Sequence, residues 1–424
     1  MKRLLLLLAV FGWVATASGQ ICNNNRYKNY VFAQSTRTDD IVYGRSTQTN
    51  PSQLIALLMD IYRPAGDVET SRPLLIVIHG GTFVSGSRRD AGIAALSDSF
   101  ARKGFVVASI NYRLQWTGYP DPFTSLIKDS ITAAAARATQ DVRTCLRYFY
   151  KTAQNGNPWG IDTNNIFLIG ESAGAIAAMH SQYLKSLAQF HELRDSNIVI
   201  RNRGLFGHGG PDSANSVGYS TKAKAVFSIC GAIGRYTWLA PSDPPVFSLH
   251  AVDDQTVLYR SGQPGAISIF QGPTLSLDGS FVVDSAARAI GLLSRLLTWP
   301  TGGHVPYQTV SNATQIGYLR QTINFITENL YDGICQNFTA NDPRYNRLNV
   351  EIAPNPVRNH FRVTLPEATQ ATLRLYDAQG REVLHQQLLG TTQAEIQRPQ
   401  VPAGVYFLTL TQNGRSFRQS LLLD

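Results

Sequence analysis

The sequence lacks the signatures of several large classes of protein. It has four cysteines in 424 residues, with neither a CxxC pair nor a His/Cys spacing typical of a metal site. Its formal net charge is +9, but single Arg and Lys residues carry this charge and no basic block is present. We therefore expect no nucleic-acid binding, and we expect neither a metal nor another cofactor.

Long apolar runs are also scarce, and the longest one opens the chain. The segment MKRLLLLLAVFGWVATASGQ has two basic residues, an apolar run and then small residues. This pattern is typical of a secretory signal peptide, which we expect to occupy residues 1–19, with cleavage after Ala17 or Gly19. A transmembrane anchor is the alternative, although the run is short for a membrane span.

Export exposes the four cysteines to an oxidising compartment, where disulfides can form. Cys22 and Cys335 lie in loop-like, Asn-rich segments near the two ends of the first domain, and we expect them to pair. Cys145 falls in a predicted helix and Cys230 in a predicted apolar strand. At these two positions, free buried thiols are at least as well favoured as a second disulfide.

Most of the chain shows strands alternating with helices. Apolar alternation over residues 26–64 predicts edge strands, and fully apolar strands follow at 74–79, 105–112, 166–170, 225–230 and 246–250. Helices are predicted at about 89–103, 129–154, 173–189 and 282–297. This alternation predicts an α/β fold with a mostly parallel sheet and helices on both faces, over a catalytic domain of residues 20–340.

The pattern changes near residue 340, where helical periodicity ends. Short alternating strands are joined by N-P, A-Q-G and N-G-R turns up to the last residue. They predict a small all-β sandwich over residues 348–424. The polar segment from Cys335 to Arg347 is the predicted linker between the two domains.

A nucleophile is indicated by the segment IFLIGESAGAIAAMH, which begins at Ile166. A G-x-S-x-G pattern alone is weak, but here an apolar strand precedes it and an alanine-rich helix follows it. Gly170 and Gly174 leave room for a sharp turn and for close packing of strand and helix. The hydroxyl of Ser172 would then stand clear at the carboxyl end of the sheet.

A serine hydroxyl needs a base to accept its proton and an acid to orient that base. After the strand VFSLH comes AVDDQTV, in which Asp254 is the expected acid and Asp253 its competitor. The later segment TGGHVPY offers His304, predicted on a loop after a helix, as the base. The other histidines considered fit less well by position or order: His79, His180, His191, His208 and His250.

Two further groups would complete such a site. The oxyanion needs fixed N–H donors, which we expect from Ala173 after the nucleophile and from Gly81 and Thr82 in the segment IHGGTFVSG. Trp116 and Tyr119, in an aromatic-rich loop, are expected to line the acyl or alcohol pocket. A packed surface loop is the equally favoured alternative for these two residues.

Taken together, LLIVIHGGTFVSG, VVASINYRL, IFLIGESAGA, HAVDDQTV and GGH resemble the carboxylesterase branch of the α/β-hydrolases, near the hormone-sensitive-lipase-like and BD-FAE-like esterases. The resemblance covers about residues 54–330 and implies ester hydrolysis through an acyl-enzyme. Ser172 would attack, His304 would act as general base and then acid, and Asp254 would hold the imidazole. The family usually has HGGG, and here Thr82 replaces the third glycine, which disfavours bulky esters of tertiary alcohols.

The C-terminal domain has a resemblance of its own. APNP, LYDAQGREV and PAGVYFLTL resemble the type IX secretion sorting domain of Bacteroidetes proteins. This implies passage through the outer membrane by the type IX secretion machinery, secretion or display at the cell surface, and often removal of the domain. A carbohydrate-binding or fibronectin-like sandwich is the weaker alternative, because Tyr376, Tyr406 and Phe407 are expected in the core rather than on an aromatic platform.

These features predict a secreted serine carboxylesterase. A serine peptidase of the same fold is an alternative, although Ala173 follows the serine where such peptidases carry a bulkier residue, and no propeller precedes it. A non-catalytic binding module is another, although it would normally have lost a triad member. The Gly-rich, polar insertion 195–219 suits soluble or polymer-attached esters better than a lipase lid. Acetylated or feruloylated polysaccharides, short aliphatic esters and polyesters all stay open as substrates.

Overall fold

The computed structural model describes residues 22, 25–48, 53–114, 126–192, 216, 218–265, 276–336, 338, 350–365, 368, 370–377, 379–412 and 415–424. The chain divides into two units, residues 1–338 and 339–424, and each is described here by itself. Within the described part of the chain, no helix is long and apolar enough to cross a membrane.

An eight-stranded sheet organises the described residues of the first unit, with the order β1-β2-β4-β3-β5-β6-β8-β11. β2 runs antiparallel to β1 and β4. The six strands β4, β3, β5, β6, β8 and β11 are parallel to one another. A small second sheet has the order β7-β10-β9. The strands are β1 Ser35–Gln48, β2 Gln53–Pro64, β3 Arg72–Ile78, β4 Val106–Ile110, β5 Ile161–Glu171, β6 Ala225–Ile229, β7 Ala232–Ile233, β8 Val246–Ala251, β9 Ser261–Gly262, β10 Leu277–Gly279 and β11 Ser294–Trp299.

Helices cover both faces of this sheet. α2 packs against α3, and α1 packs against α6. Every residue of β3, β4, β6 and β8 is buried, as expected for parallel strands covered on both faces. The predicted fold class, an α/β-hydrolase sheet with helices on both faces, is confirmed. The helices are α1 Ala91–Ala101, α2 Leu126–Gln154, α3 Ala173–Tyr183, α4 Leu187–His191, α5 Ser280–Ala289 and α6 Ala313–Tyr331, with a 3₁₀ turn at Tyr236–Trp238 and a π-helical turn at Asp332–Gln336.

Two of the predicted helices differ from the structure. The helix predicted at 173–189 is interrupted and forms α3 and α4. The helix predicted at 282–297 is wrong in its second half, because α5 ends and β11 begins there and pairs in parallel with β8. Gly291 adopts a left-handed φ of 75°, a conformation that stops a helix. His304 consequently follows a strand rather than a helix.

The cysteines of the first unit behave in two ways. Cys22 and Cys335 form a disulfide that joins positions 313 residues apart, so this predicted pairing is confirmed. The bond restricts the unfolded chain over almost the whole first unit. Cys145 and Cys230 are free and buried.

In the described residues, the second unit is an antiparallel β domain with two sheets, in the orders β12-β13-β16 and β15-β14-β17-β18. Alternate residues enter its core, so Tyr406 and Leu408 are buried on β17. Phe407, between them, is 49% exposed, and its predicted place in the core is wrong because the strand alternation turns it outward. The strands are β12 Glu351–Ala353, β13 His360–Thr364, β14 Ala371–Tyr376, β15 Glu382–Leu388, β16 Gln393–Gln397, β17 Gly404–Gln412 and β18 Arg415–Leu423.

Candidate active site

Ser172 lies on the sharp turn between β5 and α3. Its φ of 54° and ψ of −119° are strained for a residue with a side chain, and such strain persists only where the surroundings enforce it. A Cβ added to Gly170 would lie 2.4 Å from the carbonyl oxygen of Gly174. A Cβ added to Gly174 would lie 2.2 Å from the carbonyl oxygen of Ile78. Packing therefore requires glycine on both sides of the serine.

The three residues predicted as a triad lie in one line of hydrogen bonds. Nε2 of His304 is 2.8 Å from Oγ of Ser172, and Nδ1 is 2.7 Å from Oδ2 of Asp254. The three side chains follow β5, β8 and β11, whose carboxyl ends meet at the same edge of the sheet. The parallel sheet thus brings together residues that are up to 132 positions apart.

The environment of Asp254 favours its ionised form. Burial alone would raise the pKa of this carboxyl, but hydrogen bonds with His250 and His304 outweigh that effect and hold the pKa well below its usual value. Oδ1 also accepts the backbone N–H groups of Thr256, at 2.8 Å, and Val257, at 3.0 Å. Asp254 is therefore a fixed, negatively charged acceptor beneath the imidazole of His304.

Asp253, the competing acid, has a different set of contacts. Its carboxylate accepts the backbone N–H of Gly302 at 3.2 Å and that of Gly303 at 2.8 Å. These two glycines directly precede His304 and have left-handed φ values of 146° and 63°. The neighbouring aspartates thus hold the same histidine in two ways, one through its ring and one through its loop.

His250 also belongs to this network, although its position in the sequence did not predict such a role. Its Nε2 lies 3.1 Å from Oδ2 of Asp254 and 2.8 Å from the carbonyl oxygen of Val257, while Nδ1 lies 2.9 Å from Oγ of Ser280. Because both neighbours of Nε2 are acceptors, Nε2 carries a proton and donates it. Two imidazoles therefore converge on Oδ2 of Asp254. A histidine four residues before the acid, at the end of a buried strand, is the signal that could have indicated this.

The loop after β3 carries the predicted oxyanion donors, and its backbone is unusual. Gly81, Thr82 and Phe83 all have positive φ values, of 103°, 53° and 63°. The hydroxyl of Tyr112 donates to the carbonyl oxygens of His79 and Gly80, both at 3.1 Å, and so fixes the start of the loop. A left-handed φ is costly at a β-branched residue such as Thr82, which indicates that the surrounding contacts enforce this path.

This loop also lies directly against the nucleophile. A Cβ added to Gly80 would be 3.1 Å from Cβ of Ser172. Ala173, the other predicted donor, is the first residue of α3, where backbone N–H groups have no partner within the helix. The structure therefore places Ala173 next to Ser172 in the chain and brings the loop of Gly81 and Thr82 against Ser172 at Gly80.

Glu171, immediately before the nucleophile, is a second buried carboxyl group. Burial raises its pKa to about 7, although the hydroxyl of Tyr307 and the nearby His304 act in the opposite direction. An ionised carboxylate and a neutral carboxylic acid are then both populated near neutral pH. No sequence pattern predicts a role for this residue.

Cys230 forms the one cluster of possible metal ligands found among the described residues. Its Sγ and the ligand atoms of Asp254 and His304 all lie within 4.8 Å of one another. However, burial raises the pKa of the Cys230 thiol far above its usual value, and metals bind the thiolate. The other two side chains are engaged in the triad, so this arrangement favours proton transfer over metal binding.

The predicted aromatic pocket residues, Trp116 and Tyr119, lie outside the described residues. Most of the polar insertion 195–219, with His208, lies outside them too. His180 and His191 are described, and neither contacts the triad; His191 lies on α4, and His180 lies on α3 two turns beyond Ser172.

Comparison with known families gives two matches. Residues 59–200 match the BD-FAE family, and residues 351–424 match the secretion system C-terminal sorting domain. Over the matched residues, the chain is therefore similar to carboxylesterases and lipases of the α/β-hydrolase class. More particularly, it carries a BD-FAE domain followed by a type IX sorting domain, and both predicted resemblances are confirmed. The sorting domain indicates export by the type IX secretion machinery to the medium or the cell surface.

Three curated relatives show what this chain is similar to. Lipase 2 of Geotrichum candidum is 32% identical over 133 residues, which are 29% of this chain and 21% of that protein. Phenmedipham hydrolase of Pseudarthrobacter oxydans is 30% identical over 183 residues, 39% of this chain and 34% of that one. Juvenile hormone esterase of Heliothis virescens is 28% identical over 145 residues, 33% and 24% of the two chains. The chain thus spans between a fifth and about a third of the length of these relatives.

Among solved structures, Thermogutta terrifontis esterase 2 phosphorylated by paraoxon matches 70% of this chain and 94% of its own, with 17% sequence identity and a TM-score of 0.46.

Proposed function

We propose that this protein is an exported serine carboxylesterase that hydrolyses carboxylic esters through an acyl-enzyme. The observation that carries the proposal is the line of contacts from Asp254 through His304 to Ser172, with distances of 2.7 and 2.8 Å. The strained turn that presents Ser172 and the oxyanion loop beside it support the same function. The curated esterase and lipase that match about a third of this chain agree with it.

The first half of the reaction forms the acyl-enzyme. Oγ of Ser172 attacks the ester carbonyl carbon while Nε2 of His304 accepts the hydroxyl proton. The carbonyl oxygen becomes an oxyanion, which the N–H groups of Gly81, Thr82 and Ala173 stabilise. His304 then donates its proton to the alcohol oxygen, and the bond from the carbonyl carbon to that oxygen breaks.

The second half repeats these steps with water. His304 accepts a proton from a water molecule, whose oxygen attacks the acyl carbon. The proton returns to Oγ of Ser172 as the ester bond to the enzyme breaks, and the carboxylic acid leaves. Asp254 keeps its charge throughout, and this charge stabilises the imidazolium that forms in each half.

We also propose that three segments of the chain have separate roles. Residues 1–19 form a removable signal peptide, residues 20–340 the catalytic domain and residues 348–424 the sorting domain. All the residues given a chemical role lie in the catalytic domain. The disulfide of Cys22 and Cys335 joins the two ends of that domain, which supports its treatment as one folded unit.

The test is the Ser172→Ala variant. We expect its kcat on p-nitrophenyl butyrate to fall by at least about 10⁴-fold, because no nucleophile remains. A fluorophosphonate probe should label the wild-type peptide that contains Ser172 and should not label the variant. Ser181→Ala is the matched control, because Ser181 lies on the same helix and its hydroxyl donates to the carbonyl oxygen of Ala178. A folded Ser172→Ala variant with most of its activity, or labelling at another residue, would contradict the proposal.

A further inference from the structure

An apolar groove begins at Ser172 and follows one face of α3. Ser172, Ile176, His180 and Leu184 all line it, and they are spaced four residues apart. Residues four apart lie above one another on a helix, with about 5.4 Å between successive turns. At about 1.5 Å per residue, the groove from Ser172 to Leu184 is about 18 Å long.

Helix α2 forms the facing wall. Ile131, Ala135 and Thr139 line the groove at the same four-residue spacing. The side chains at the middle of this wall are small, and they leave space beside α3. Leu184 and Phe190, which lies on α4, also line the groove. Large apolar side chains therefore accompany the small ones of α2.

The wall of this groove carries no charge at neutral pH. None of its described lining residues is Asp, Glu, Lys or Arg. Burial, with the positive charge of Arg143, lowers the pKa of His180 to about 3, so its ring is neutral. Nε2 of His180 accepts the backbone N–H of Gly234 at 2.9 Å. A charged or heavily hydroxylated group would lose its hydration here without compensation.

The position of the groove relative to the triad identifies which half of an ester it receives. The alcohol oxygen must lie beside Nε2 of His304, which protonates it. Ser172, Ala173 and Thr82 line the groove, whereas no described lining residue belongs to the loop of His304. The groove therefore leads away from the leaving group, on the side where the acyl chain stays bound to the serine.

We propose that this groove binds the acyl part of the substrate as an extended, unbranched aliphatic chain of up to about fourteen carbons, since such a chain advances about 1.25 Å per carbon for bonds of about 1.5 Å and the groove is about 18 Å long. This inference rests on the proposed esterase function and names its substrate class. Acetyl groups would leave most of the groove empty. Phenolic acyl groups would place a hydroxyl against an apolar wall.

The first test needs no variant. With p-nitrophenyl esters from acetate to palmitate, we expect kcat/KM of the full-length protein to rise about two- to fourfold per added methylene and to level off at about fourteen carbons. A maximum at acetate or butyrate, or a flat profile, would overturn the groove proposal and leave the esterase function standing. Hydrolysis of no ester would instead contradict the proposed function.

Binding separates the two proposals independently of turnover. In the Ser172→Ala variant, decanoate should bind more tightly than butyrate by at least about 100-fold, because six more methylenes are buried. Equal affinities would overturn the groove proposal even if esters are hydrolysed.

A matched pair of substitutions locates the chain. Ala135 and Ala133 are both partly buried on α2, and Ala133 is absent from the groove wall. Ala135→Phe should lower the ratio of kcat/KM for the decanoate ester to kcat/KM for the acetate ester by at least about tenfold, because the ring fills the middle of the groove. Ala133→Phe should leave both esters unchanged. Equal losses for acetate and decanoate in Ala135→Phe would overturn the assignment.

Discussion

The two units of this chain differ in what they bury. The hydrolase unit buries ionisable side chains such as Asp254, Glu171 and His250, and it holds Ser172 and Thr82 at positive φ. In the C-terminal unit, Asp377 is the one buried charged side chain among the described residues, and none of those residues other than glycine has a positive φ. Strain and buried charge persist only where the rest of the structure supports them. The contrast therefore places the strained residues and most of the buried charged side chains in the first unit, where the candidate active site lies.

Buried charge alone does not identify the active site within the first unit. Arg113 and Asp141 form a buried ion pair at 2.7 Å, and Arg295 and Asp332 form another at 2.8 Å. In each pair the charges neutralise one another, and both pairs contribute to the fold. The triad differs because its buried carboxylate faces an imidazole that in turn reaches a strained serine. The candidate site is therefore defined by a buried carboxylate, an imidazole and a strained serine in one line of contacts.

The largest expected effect comes from the two neighbouring aspartates. Asp254→Asn should lower kcat/KM on p-nitrophenyl butyrate by about 10⁴-fold, because an amide neither orients the imidazole nor balances its charge. Asp253→Asn should cost about tenfold or less, because it weakens one or two hydrogen bonds to the loop backbone. Thermal unfolding of both variants serves as the control for folding. Equal, modest losses would show that Asp254 is not the catalytic acid.

A smaller expected effect concerns the pH dependence of stability, which we attribute to the buried Glu171 of the first unit. Because burial raises the pKa of Glu171 to about 7, the folded state favours the protonated acid. The resulting stabilisation is complete below the pKa of the unfolded chain and is lost as pH rises through about 7. Between pH 5 and 8 the wild-type protein should lose stability on the order of 2 to 3 kcal/mol from this group.

Glu171→Gln should remove that pH dependence, since an amide does not ionise. The measurement is urea unfolding at pH 5 and pH 8, followed by tryptophan fluorescence. The control is Glu351→Gln, which changes an exposed carboxylate of the C-terminal unit and should leave the pH dependence as in the wild type. An identical loss of stability in wild type and Glu171→Gln would contradict the prediction.

The sequence was most informative where chemistry requires a local pattern. Ser172 was predicted from a turn whose glycines are required by packing, and Asp254 and His304 from their order after it. The strand of residues 294–299 was mistaken for helix because its stability comes from pairing with β8, which no local period reveals. Asp253 contacts the backbone of Gly302 and Gly303, far along the chain. His250 contacts Asp254 across a turn. Such contacts become visible only once the sheet edge is assembled.

The last prediction concerns the C-terminal unit, and its expected effect on catalysis is the smallest. Every residue with a proposed chemical role precedes Cys335, and a chain that ends at residue 345 keeps the disulfide to Cys22. The C-terminal unit has a hydrophobic core of its own, formed by residues between Ile352 and Leu423. Few contacts typically cross a polar linker between domains, so kcat/KM of the shortened chain on p-nitrophenyl butyrate should stay within about twofold of the full-length value.

Export of the shortened chain supplies the second measurement. In a host with type IX secretion, the full-length protein should reach the medium or the cell surface, whereas the chain that ends at residue 345 should stay in the periplasm. A substrate-binding sandwich would give the opposite result, with export intact and activity reduced on polymeric esters alone. A folded, shortened chain that fails on the small ester would contradict both roles, because it would mean that residues after 345 complete the active site. The two measurements together therefore assign the C-terminal unit to export, to substrate or to catalysis.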